Sequence, residues 1–262
     1  MATQTSYKHG TFSWIELATT DAAKAKPFYA GLLGWTFDDM PAGPGMTYSM
    51  AKLGEHHVAG LFEMGKEMAA MVPPNWASYI TVDDADAAAK KAVENGATVL
   101  KEPFDVMDVG RMAVLEDPTG AAFCIWQAKG HIGSGLKNEP GALCWNEVFT
   151  TDTAAAAKFY TSTFGWQAEA VDMGPMGTYT LFKLPGDPKN IGGMMPMPPH
   201  MQGVPSHWLA YIEVADCDAS TKKANALGGK TLMPPTDIPN LGRFSVVQDP
   251  TGATFALYKN LH

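Results

Sequence analysis

Along most of this chain apolar residues recur either at every second position or in helical clusters, and the two patterns alternate. Residues 13–19 read SWIELAT, and a strand there puts Trp14 and Glu16 on one face with Ile15 and Leu17 on the other. Asp21 stands as an N-cap before the helical run AAKAKPFYAGLL, which Gly34 ends. Pro27 inside that run predicts a kink or a late helix start. Short strands follow near Phe37, at TYSMAKL and at HHVAGLF. WASYITV then opens a second round: a strand, a helix over DADAAAKKAVENG closed by Gly96, and strands at ATVLKEP, RMAVLE and AAFCIWQ. The order is βαβββ, twice within the first half of the chain.

The second half repeats the first. GTFSWIELATTDAAKAKPFYAGLLGW from Gly10 aligns without a gap on GALCWNEVFTTDTAAAAKFYTSTFGW from Gly141. Trp14 falls on Trp145, Glu16 on Glu147, Asp21 on Asp152, Phe28-Tyr29 on Phe159-Tyr160, and the match persists through Tyr48 and Tyr179. After one inserted residue it resumes with Trp76 and Trp208, Tyr79 and Tyr211, Gly110-Arg111 and Gly242-Arg243, and DPTG at 117 and 249. So long a match is duplication rather than chance composition. The segment KGHIGSGLKNEPG between the copies reads as a connection. The division expected is a first domain over 1–130, a linker over 131–140 and a second domain over 141–262.

Composition narrows the function. With 46% hydrophobic and 18% charged residues the chain can bury real cores. Its net charge of −8, split −6 and −2 between residues 1–136 and 137–262, leaves no basic half, so neither a nucleic-acid nor an anionic-membrane partner is expected. No apolar run approaches the roughly 20 residues of a membrane span. Cys124, Cys144 and Cys217 form no CxxC pair, which suits a reducing cytoplasm, and the first residues show no secretory signal core. Export by a route that needs no signal peptide stays open.

The βαβββ unit with D…FY…LGW near its start and G-R…DPTG near its end resembles the vicinal oxygen chelate superfamily. This superfamily includes glyoxalase I, bleomycin- and fosfomycin-resistance proteins and extradiol dioxygenases. The likeness covers nearly all of both halves and extends to actinobacterial proteins with two such domains in tandem, a mycobacterial culture-filtrate antigen among them. It implies an α+β fold of tandem glyoxalase-like domains: four βαβββ modules, mixed sheets curled into cups, helices outside. It also implies that the face bearing Trp14 and Glu16 lines a cup.

Metal enzymes of that superfamily take ligands from inward positions on the first and last strands of their units. Registered from TTD and DPTG, those positions hold Trp14, Ala77 and Cys124 in one half and Trp145, Leu209 and Ala256 in the other. Only Cys124 among them can bind a metal, so no metal or other cofactor is expected. A register slip of two residues would put Glu16 and Glu147 there instead. Alternation points Trp14, Glu16, Tyr79 and Trp126 inward in the first half, and Trp145, Glu147, His207, Tyr211 and Tyr258 in the second. Such a wall suits a flat or amphipathic organic ligand, although the same aromatics could simply fill a collapsed hollow. A carboxylate buried beside Trp calls for a partner, and Arg111 and Arg243 stand at matched places for that role and for ligand contact. Glu16 and Glu147 are the candidate general bases.

Other signals are weaker. His56 and His57 are neighbours in a strand and point to opposite faces. His207 with Glu147 makes at most half a metal site, and His9, His131, His200 and His262 read as solvated tail or loop residues. Met- and Pro-rich stretches at 63–74 and 194–205 precede the fifth strand of each half and read as apolar loops or lids. Beside an interaction or antigen role in which the cups are vestigial, two readings follow. One is a metal-independent binding protein, monomeric or homodimeric, that sequesters or senses an aromatic or apolar small molecule. The other is a glyoxalase-type lyase or isomerase acting on a ketoaldehyde or its thiol adduct.

Overall fold

The structure is a computed structural model and describes residues 3–43, 45–174, 177–201 and 203–261. The first half runs β1 (Phe12–Thr19), α1 (Ala22–Leu33), β2 (Thr36–Gly43), β3 (Met46–Leu53), β4 (His56–Glu63), α2 (Lys66–Met71), β5 (Asn75–Thr81), α3 (Ala85–Glu94), β6 (Thr98–Val106), β7 (Gly110–Glu116) and β8 (Ala122–Ala128). The second runs β9 (Leu143–Thr150), α4 (Thr153–Phe164), β10 (Gln167–Asp172), β11 (Thr178–Lys183), β12 (Asn190–Pro196), β13 (His207–Glu213), α5 (Cys217–Ala226), β14 (Lys230–Ile238), β15 (Gly242–Gln248) and β16 (Thr254–Asn260). A 3-10 turn over Pro199–Met201 stands where the first half has α2.

Four matched aspartates start the long helices. Asp21, Asp84, Asp152 and Asp216 each accept the backbone N–H three residues on, which satisfies an otherwise orphaned donor. Gly34 and Gly165 close α1 and α4 at φ 75° and 70°, a left-handed conformation that a side chain disfavours. Pro27 neither delays nor divides α1, which begins directly after Asp21. Each half forms one eight-stranded mixed sheet, ordered β2-β3-β4-β1-β5-β8-β7-β6 and β10-β11-β12-β9-β13-β16-β15-β14. Within a half, the opening strands of the two modules pair antiparallel (β1 with β5, β9 with β13), while each runs parallel to the strand that closes its own module.

The helix-bearing faces of the two sheets pack against each other and share two cores. In one, Ile15, Leu17 and α1 meet Ile212, Phe255, Leu257 and α5. In the other, Ile80, Phe123, Ile125 and α3 meet Val148, Met194 and α4. The repeated FY and DPTG motifs lock this arrangement reciprocally. Tyr29 donates to Asp249 at 2.8 Å and accepts from Trp76 Nε1 at 3.0 Å. Tyr160 donates to Asp117 at 2.8 Å and accepts from Trp208 Nε1 at 2.8 Å. These six groups are buried, and a buried bond to a charged acceptor contributes about 1.5–3 kcal/mol. The motifs that repeat most clearly in the chain are therefore cross-braces between its halves.

The opposite face of each sheet has its own smaller cluster, made from one half alone. The segment after β8 runs along the first of these hollows under close restraint. Lys129, Gly130 and His131 each donate their N–H to Val109 O at 3.0 Å, Ser134 N to Ser13 O at 2.7 Å, and Gly135 N to His57 O at 2.7 Å. No helix among the described residues is long and apolar enough to cross a membrane.

Candidate functional site

Strand register builds the same constellation twice. Glu16 on β1 lies opposite Ala77 on β5 and Gly60 on β4, and Trp14 lies opposite Tyr79. Tyr48 on β3 donates to Glu16 Oε2 at 2.6 Å, Tyr79 donates to Oε1 at 2.8 Å, and Trp14 Nε1 donates to Tyr48 Oη at 3.3 Å. In the second hollow Tyr211 donates to Glu147 Oε2 at 2.7 Å and Trp145 Nε1 donates to Tyr179 Oη at 3.0 Å. Tyr179 also bonds Glu147. Gly60 and Gly193 complete the pattern: a Cβ at either would collide with the hydroxyl of Tyr48 or Tyr179, so the tyrosine reaches its glutamate only across a bare backbone.

The glutamates thus pair with phenols. The expected pairing with arginine is corrected. Arg111 binds Asp86 at 2.6 Å and lies 3.6 Å from Asp105, and Arg243 binds Asp218 at 2.6 Å and Asp237 at 2.8 Å. Both arginines sit on the face of β7 and β15 that carries Ala113 and Leu115, or Ser245 and Val247, toward α3 and α5. Met112, Val114, Phe244 and Val246 point into the hollows instead. The arginines therefore have no place in either cup.

Burial pushes the Glu16 carboxyl above the ordinary carboxylate range, and the hydroxyls of Tyr48 and Tyr79 pull it back part of the way. Glu147, 5% exposed, is raised for the same reason against Tyr211 and Tyr179. Burial and then, for Tyr48, Tyr179 and Tyr211, the adjacent carboxylate push the phenols well above 10; for Tyr79 burial comes first and the neighbouring Cys124 and Glu16 add to it. The phenols therefore remain donors. Burial, with Glu16 adding to it, also drives the Cys124 thiol up, so it stays protonated.

The remaining candidates fall as follows. Trp14, Tyr79 and Trp126 share the first hollow, and Trp145, Tyr211 and Tyr258 the second. His207 stacks on Phe149 at 5.5 Å with Nδ1 2.9 Å from Pro205 O. Met195 and Met197 of the 194–205 stretch pack on the second cluster, whereas α2 of the 63–74 stretch buries nothing. His131, read from sequence as solvated, is packed edge-on against Trp14 at 4.7 Å. His262 and the side chain of His200 lie outside the described residues. The tyrosines at 48 and 179 escaped the sequence reading, although each follows its glutamate by the same interval in both copies.

A divalent ion does not fit this donor set. The inward neighbours of Glu16 are Gly60, Ala77, Tyr79 and Cys124, and those of Glu147 include Gly193, Leu209 and Ala256. Among the described residues no three His, Cys, Asp or Glu side chains converge. That holds for either register considered from the sequence.

Paired βαβββ modules around a hollow define a class of cup-forming small-molecule proteins. Comparison with known proteins makes the assignment specific: residues 11–125 and 142–257 each match the Glyoxalase/Bleomycin resistance protein/Dioxygenase superfamily, and the chain belongs to it. It is 43% identical over 260 residues to the Mycobacterium tuberculosis protein named "Putative glyoxylase CFP32", covering 99% of this chain and 98% of that one. It is 34% identical over 266 residues to the anthracycline biosynthesis protein DnrV of Streptomyces peucetius, covering 97% and 94%. Among solved structures, the Mn(II)-bound glyoxalase from Novosphingobium aromaticivorans superposes with TM-score 0.67 at 15% identity, over 97% of this chain and 83% of that one. The 2,3-dioxygenase LapB from Pseudomonas sp. KL28 gives 0.64 at 13%, over 97% and 94%. At these identities the two structures speak for the fold alone.

Proposed function

We propose that the protein binds a flat aromatic or otherwise apolar organic compound and sequesters or senses it without a divalent metal. The observation that carries this reading is the Trp–Tyr–Glu–Tyr constellation on the concave face of each sheet. It combines ring surface, partly exposed at Trp145, with one carboxyl that can accept from a ligand hydroxyl. The anthracycline association in the name of one relative agrees, since such compounds are polycyclic and hydroxylated. The test is titration of chelator-treated protein with 2-naphthol and 1,4-dihydroxyanthraquinone, both neutral, followed by tryptophan quenching and equilibrium dialysis. Saturable binding indifferent to EDTA is expected. Absence of saturable binding, or its loss with EDTA, overturns the proposal.

A second reading rests on the burial-raised glutamates, which are placed as a general base for removing a proton next to a carbonyl. It ranks lower because both oxygens of Glu16 already accept phenol hydroxyls. Turnover of the methylglyoxal–thiol adduct that disappears in Glu16→Gln/Glu147→Gln would move it ahead.

A further inference from the structure

The two hollows share their floor and differ at the mouth. In the first, Trp126 Nε1 donates to the carbonyl of His131 at 2.8 Å, and the His131 ring stands edge-on to Trp14 at 4.7 Å, nearly perpendicular at 87°. The same ring lies 6.0 Å from Trp126 and 6.2 Å from His57. Under it Trp14 and Trp126 retain only 4% and 6% exposure. Nε2 of His131 is itself buried and has no partner among the described residues. The ring is held by main-chain bonds on both sides: His131 N to Val109 O and Ser134 N to Ser13 O.

In the second hollow none of the described residues stands against Trp145 as His131 stands against Trp14. Trp145 and Tyr258 are partly exposed, more so than Trp14 and Trp126, and the hydroxyl of Tyr258 is turned to Leu241 O at 2.9 Å. Trp145 Nε1 is engaged by Tyr179, so the free part of the indole is its apolar surface.

We propose that His131 is a built-in plug that occupies the ring position of the first cup, and that the second cup alone takes a ligand. The inference rests on the binding reading above and sharpens it in two respects. Stoichiometry is one flat molecule per chain although the constellation occurs twice. The ligand presents to Trp145 what His131 presents to Trp14, a planar ring met edge to face, while any ligand hydroxyl points toward Glu147. A ring in this place gains from burial and from the aromatic geometry together.

Fluorescence titration and equilibrium dialysis with 2-naphthol on the whole chain test this. The wild type should bind one equivalent, Trp145→Ala none, and His131→Gly two. His131→Gly/Trp145→Ala should return to one, now reported by quenching of Trp14. Two equivalents in the wild type, or binding that survives Trp145→Ala, overturn the plug while leaving the binding function standing. One equivalent in a His131→Gly protein that keeps a cooperative thermal transition also overturns it. No binding by the wild type or by any variant overturns the binding function itself. Should His131→Gly fail to fold, wild-type stoichiometry and the Trp145→Ala result still decide the matter.

Discussion

The two hollows hold the same carboxyl and the same pair of phenols, yet one tryptophan is covered and the other is partly open. Trp14 is roofed by a segment from between the halves, while Trp145 meets solvent. The constellation alone therefore does not fix how much ring surface is open. What lies over it decides how much ring surface meets solvent, so duplicated sequence need not give two equal faces.

The largest effect expected in breaking this comparison is on stability. Trp14→Ala should cost about 3–5 kcal/mol, as for a large core aromatic, and Trp145→Ala less, because Trp145 is only partly buried. Chemical denaturation measures both, and equal losses would erase the distinction between the cups. Next come the cross-braces, where the halves should behave alike. Asp117→Ala and Asp249→Ala each strip an acceptor that serves a tyrosine hydroxyl from the other half and several N–H groups of its own turn. Each should cost about 3 kcal/mol or more. The pair should also leave a single unfolding transition rather than two.

Smaller effects separate the titrating groups. The glutamates are raised by burial, so the folded state holds their protons to higher pH than the unfolded state does. That stabilising contribution is whole below the ordinary carboxylate value and is lost as pH rises through the raised one. Glu147→Gln should gain on the wild type as pH climbs above the ordinary carboxylate range, seen as a rising difference between their denaturation midpoints, and Glu16→Gln should do the same. His131 has the opposite sign. Burial, with His57 facing it, lowers the imidazole to about 4, so stability present above the ordinary histidine value falls as pH drops toward 4. Trp14 emission should shift to the red across that window, and His131→Gln should abolish the shift.

Much of this was legible in the chain. Period-two alternation placed Trp14 beside Glu16, and the repeated aspartates and glycines marked the helix ends. Alternation also holds the answer for Arg111, which shares a face with Ala113 and Leu115; the buried acid's need for a partner points to a cation, and phenols meet it instead. Tyr48 and Tyr179 were hidden for a different reason: they reach the glutamates across β4 or β12, through a gap that only a glycine leaves. The braces were visible as motifs and opaque as contacts, because Tyr29 finds Asp249 at a separation of 220 residues. His131 looked like a linker residue because nothing local shows that Val109 O gathers three N–H groups and folds the segment back over the cup.

The reciprocal bracing of Tyr29 with Asp249 and Tyr160 with Asp117 has one more consequence. Each copy supplies a wall of the cores shared with the other, so the sheet of either half is held in shape by its partner whatever lies over its own hollow. A covered hollow can thus serve as the buttress of a more open one.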